Sequence, residues 1–79
     1  MESHDDFESL LQQLAYRIKI LRQQAGLSQE GLALAAGVDR TYVSQLERGI
    51  ANPSLLILHR ISKVLNTDVQ LLLEKAGTH

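Results

Sequence analysis

Between Gln29 and Arg48 the chain carries two short apolar-periodic segments joined at a single glycine, and this stretch restricts the fold more than any other. Leu32, Ala33 and Ala36 share one side of the first segment at helical spacing, so that side faces inward. Ala33 is small where two helix axes have to cross closely. Gly37 follows the last periodic residue, where a helix commonly ends in a left-handed conformation that glycine adopts without steric cost. Val38 can cover the corner, and Asp39 has the chemistry and position of an N-cap for the next helix. Two short helices pinned by a tight turn are thereby expected.

The second of these helices has two unlike faces. Val43 and Leu46, three apart, make its inner side. Arg40, Thr41, Ser44, Gln45 and Arg48 make a continuous polar surface free of aliphatic residues. Arginine pairs bidentately with guanine and glutamine with adenine, while serine and threonine reach several base edges. An ordinary solvated face is the plain alternative. The glycine spacing, the small Ala33 and the capping Asp39 favour a helix-turn-helix whose second helix reads DNA through Arg40, Thr41, Ser44 and Gln45.

The string Gly26-Leu27-Ser28-Gln29, with Arg22, Leu32-Ala33, Gly37-Val38, Val43 through Gly49 and Asn52-Pro53-Ser54-Leu55, resembles the Cro/C1-type (XRE) family of helix-turn-helix proteins. The likeness covers roughly residues 14–73. Within that family the small size and Asp39-Arg40-Thr41-Tyr42-Val43-Ser44 look like the controller proteins of restriction-modification systems. The resemblance implies an all-α fold, a compact five-helix bundle of the phage-repressor DNA-binding type. It also implies a phosphate contact at Gln29 and an internal pair between Arg22 and Glu47. The residues agree on the second point, because Arg22 follows Ile18 by four and Glu47 follows Val43 by four. Opposite charges on apolar faces are tolerable when they meet; two independent charges at the edges of their faces are the alternative.

Three further phosphate contacts are expected around the reading face. Tyr42 could donate its hydroxyl to a phosphate or cover the edge of the core. Arg48 and Asn52 follow the reading helix and could touch the backbone or simply lie free.

Helix is expected almost throughout. The first helix should run over about 7–25, with Leu11, Leu14, Ile18, Leu21 and Ala25 as its apolar stripe, and Gly26 as its stop. Ser28 can cap the second helix, and Gly49 closes the third. Asn52 as cap with Pro53 at the first helical position should start a fourth helix that turns Leu55, Leu58, Ile61 and Leu65 inward. After a turn at Asn66-Thr67-Asp68, with Asp68 as cap, a fifth helix should span 69–76 before Gly77.

Leu55, Leu58, Ile61, Leu65, Val69, Leu72 and Leu73 suffice for the inner faces of the last two helices, so Leu56, Ile57 and Leu71 are left over. A homodimer through helices 4 and 5, about 53–76, would cover them, with a larger monomer core or a different protein partner as alternatives. Seventy-nine residues suit one helix-turn-helix domain over 1–79 with a small core, for which pairing with another subunit would be useful.

The formal net charge of −1 runs mildly against nucleic acid. Its distribution softens that objection: Glu2, Asp5, Asp6 and Glu8 crowd the first nine residues, and all eight basic residues come after them. The absence of cysteine excludes a disulfide framework and suits a reducing cytoplasm. No signal run opens the sequence, and no apolar run is long enough for a membrane. His4, His59 and His79 are scattered, and Ser44 has no histidine nearby, so no catalytic residue, metal or cofactor is expected. The expected partners are double-stranded DNA, a second copy and, through promoter control, RNA polymerase. The competing function is an antitoxin-like module that holds another protein and binds DNA secondarily.

Overall fold

In a computed structural model that describes residues 4–74, five α-helices follow one another without a strand among the described residues: α1 (His4–Gln24), α2 (Gln29–Ala36), α3 (Arg40–Glu47), α4 (Leu55–Val64) and α5 (Val69–Leu73). α2 packs on α3 and α4, α1 lies across α3 and α5, and α4 meets α5. The all-α, five-helix expectation therefore holds. None of the described helices is long and apolar enough to cross a membrane.

The core is where the periodicity placed it, with five exceptions, the first being Leu11, expected on the stripe of α1 but only half-buried and outside the core. Leu14, Ile18, Leu32, Ala33, Ala36, Val43, Leu46, Leu58, Ile61, Leu65 and Leu72 are buried together. Ala25, expected on the stripe of α1, is exposed because the helix has already ended at Gln24; Ala15 is buried instead. Leu55, expected inward, is 70% exposed. It stands in the first turn of α4, and helical side chains lean toward the N-terminus, so it projects past the helix start. Leu73, also expected inward, is exposed, while its neighbour Leu72 is buried. Ile57, counted as surplus, is half-buried against the core.

The helix ends repeat one device. Gly37 has φ 73° and ψ 34°, its N–H reaches the Leu34 carbonyl, and the Val38 N–H reaches Ala33 at 2.9 Å. That is a Schellman closure, which satisfies two otherwise orphaned carbonyls. The same pair of bonds recurs after α1, α3 and α4, with Asn66 (φ 60°) in the glycine's place at the last.

The helix starts differ from expectation at three places. Among the described residues α1 opens at His4, three residues before the expected Phe7. Asn52-Pro53 does not open α4. The Ser54 hydroxyl accepts from the Ile57 N–H at 3.1 Å, two residues later. The residue before a proline is pushed to extended backbone, and residues 50–54 lie outside any helix with Ala51 buried. Asp39 occupies the N-cap position of α3 with extended backbone, but its carboxylate makes no capping bond. Its carbonyl has already taken the Tyr42 N–H, at 3.0 Å, the donor such a cap would use. Asp68 caps α5 as expected, accepting from Leu71 at 2.9 Å. α5 ends at Leu73, with Glu74 extended; the expected continuation to Ala76, and Gly77, lie outside the described residues.

Candidate nucleic-acid interface

The orientation of α3 is set by a buried polar junction under its C-terminal end. The Arg22 guanidinium donates to both oxygens of Glu47, Nε to Oε2 at 2.6 Å and Nη2 to Oε1 at 3.0 Å. Their side chains are 11% and 3% exposed. Arg22 Nη1 also donates to the Leu27 carbonyl at 2.8 Å, and Gln29 Nε2 donates to Glu47 Oε1 at 3.1 Å. The Arg22–Glu47 pair thus ties together α1, the α1–α2 corner, the start of α2 and the end of α3. The hydrogen bond to Glu47 and its negative charge raise the Arg22 pKa, against the opposing effect of burial. Every buried side-chain polar atom among the described residues has a partner, as a charge removed from water requires.

The pairing of Arg22 with Glu47 was legible in the sequence; the participation of Gln29 was not. Its amide spends one donor inside the protein, and the residue is only half-exposed. A long sequence separation and an ordinary residue type left no signal for that contact.

With its inner side fixed by Val43, Leu46 and Glu47, α3 turns the other side out. Arg40, Thr41 and Gln45 are exposed and Ser44 is half-exposed. None of their side chains has an internal hydrogen bond or ion pair among the described residues. Eight residues make a helix about 12 Å long, comparable to the roughly 12 Å width of the DNA major groove. Arg40 stands in the first turn, at the positive end of the helix dipole, with no acidic residue in that turn. A cation there does not help the helix. The N–H groups of Arg40 and Thr41 remain without a side-chain cap, so this end presents donors as well as charge.

The flanking residues divide. Arg48 and Asn52 are exposed. Tyr42 is half-buried against the core and lines a cleft with Asp39, Asn52, Ser54 and Ile57. Burial raises its phenol pKa, so the hydroxyl stays protonated and able to donate near neutral pH. The residues expected to form one dimer contact do not share a groove. Ile57 lies in that cleft, Leu71 lines a separate groove between α1 and α5 beside Tyr16 and Ile20, and Leu56 is exposed on α4.

Sequence reading also missed Arg17, whose Nη1 donates to the carbonyls of Leu71 at 2.6 Å and Glu74 at 2.5 Å. It supplies a cation and a hydrogen-bond donor to the C-terminal end of α5.

Comparison with known proteins agrees with this geometry. The helix-turn-helix family model HTH_3 matches residues 18–72. The transcriptional regulator SinR of Bacillus subtilis is 40% identical over 63 residues, which cover 78% of this chain and 57% of SinR. Control protein C.SmaI of Serratia marcescens is 38% identical over 71 residues, covering 90% of this chain and 84% of C.SmaI. A crystal structure of SinR in complex with DNA aligns with a TM-score of 0.75 at 40% identity, over 77% of this chain and 98% of that one. The chain spans about half the length of several curated relatives it matches, SinR among them.

Proposed function

The chain belongs to the HTH_3 (XRE-type) helix-turn-helix family, and on that footing we propose that it is a sequence-specific transcriptional regulator that binds a palindromic operator as a homodimer. One observation carries the reading: the outward face of α3, with Arg40, Thr41, Ser44 and Gln45 unspent on any internal partner while the opposite face is locked by the Glu47 junction. Those four residues read bases in the major groove. Arg48, Asn52, Tyr42 and Gln29 contact the backbone, Gln29 with what its bond to Glu47 leaves free. SinR, a relative whose solved structure includes DNA, supports DNA as the partner.

The homodimer rests on exposed leucines in the C-terminal half, Leu56 and Leu71 together with Leu55. An isologous contact through α4 and α5 would set two copies of α3 about one DNA turn apart. Residues 1–79 act on this reading as one DNA-binding domain whose last two helices assemble it. Bound at a promoter, the dimer blocks or recruits RNA polymerase. The likeness to C.SmaI across most of both chains supports the role of a restriction-modification controller acting in the cytoplasm.

Selection of bound sequences from random duplex DNA tests the reading. The wild type should return a two-fold symmetric site. Arg40→Ala and Gln45→Ala should each weaken binding by about 1–3 kcal/mol and relax preference at one or two positions. An unchanged preference in both variants would remove these residues from the reading face.

A further inference from the structure

A second surface stands apart from the reading face, in the groove between α2 and α4. Leu34, Gly37, His59, Arg60, Lys63 and Val64 line it with two alanines, and no carboxylate is among the lining residues. Leu34 is 77% exposed on a helix whose other leucine is buried. His59, Arg60 and Lys63 are exposed, and none of their side chains has an internal hydrogen bond or ion pair among the described residues. The Arg60 guanidinium reaches over the turn, 4.0 Å from where a Cβ on Gly37 would stand. Basic side chains around one bare leucine match a ligand that brings carboxylates and an apolar side chain together. A phosphate backbone would engage the cations and leave Leu34 in water.

The chain itself carries a segment of that chemistry. Residues 2–8 contain Glu2, Asp5, Asp6 and Glu8, with Phe7 among them and no lysine or arginine. Phe7 is half-exposed and Asp6 and Glu8 are exposed. Phe7 and Glu8 belong to α1 and lie beside Gly49 and Ile50, past the C-terminal end of α3. The groove adjoins Gly37, before the N-terminal end of α3. Phe7 and Glu8 are therefore held at the opposite end of the reading helix from the groove of their own copy. We propose that the α2–α4 groove docks the acidic segment at residues 2–8 of a second copy of this chain. The contact is heterologous, a groove on one copy against a segment of the next. It uses none of the leucines assigned to the α4–α5 contact.

Sedimentation velocity on the full chain, over a concentration series at low and high salt, tests the proposal. The wild type should form species larger than a dimer at about 50 mM salt and lose them at about 500 mM, because the contact is exposed and ionic. Arg60→Glu with Lys63→Glu should weaken that association about tenfold or more, and so should Asp5→Lys with Asp6→Lys. Combining all four substitutions should restore it, which a merely damaged surface would not do. Thermal melts confirm that each variant folds. A wild type that never exceeds a dimer, or a four-fold variant without recovery, overturns the proposal. So does an Arg60→Glu, Lys63→Glu protein that self-associates normally and binds duplex DNA more weakly, since the groove would then be a phosphate contact.

Discussion

Among the described residues the helices α1–α3 share a buried ion pair that the helices α4–α5 lack, although one apolar core runs through both groups. In the first group a nearly buried carboxylate, Glu47, collects three donors from Arg22 and Gln29, and each bond has one direction in which it works. In the second, α5 has only five residues, kept in place by the Asp68 cap, buried Leu72 and the reach of Arg17 from α1. Leu55, Leu56 and Leu71 stand half or more in solvent there. Directional bonds specify an angle, which a helix that must enter a groove of fixed width requires. Apolar burial is non-directional and roughly proportional to area, which suits a surface whose partner is another chain. Under the proposed function, aiming falls to the first group and assembly to the second.

Glu47→Ala offers the largest way to break that contrast. Leaving Arg22 charged, buried and unpaired should destabilise the fold by about 3–5 kcal/mol in urea unfolding. A double-mutant cycle with Arg22→Ala should show strong coupling; additive effects would mean the junction does not orient α3. Gly37→Ala should cost about 1–2 kcal/mol by the same measurement, as the penalty of a left-handed backbone. Its Cβ would meet nothing closer than Arg60, so a larger loss would reveal a packing role at the turn. Ser54→Ala should cost about 1 kcal/mol of stability through the lost cap. Asn52→Ala should leave stability unchanged and weaken DNA binding; the reverse pattern would return the cap to Asn52. Leu71→Glu should change monomer stability least, by no more than about 0.5 kcal/mol, because the side chain is half in water. Sedimentation should nonetheless show loss of the dimer, and operator affinity should fall steeply as the second arm is lost. A Leu71→Glu protein that stays dimeric would transfer assembly to another face.

Much of the first group could be read directly. Leu32, Ala33, Ala36, Val43 and Leu46 are buried at the positions their spacing demanded, and the turns fall at Gly26, Gly37 and Gly49. The start of α4 was harder, because Asn52-Pro53 and Ser54 are both good starts by residue type. Burial of Ala51 and a non-helical 50–54 connector decided between them. Similarly, Asp39 has the right chemistry for a cap. Whether its carboxylate is used depends on a donor that the backbone had already claimed.

What the order of residues determined by itself was local: helical periodicity, glycine stops and the polar face of α3, while the meeting of Arg22 and Glu47, 25 residues apart, was implied by the family resemblance. The local features follow from steric limits on φ and ψ and from the helical repeat, which act over a few residues. The tertiary structure alone decided that Gln29 serves Glu47, that Arg17 holds the end of α5, that Ile57 joins the core and that Leu55 leaves it. Those outcomes depend on which surfaces arrive opposite one another, across separations of 18 residues for Gln29 and 54 or more for Arg17. Helical spacing carries no information about such distant partners.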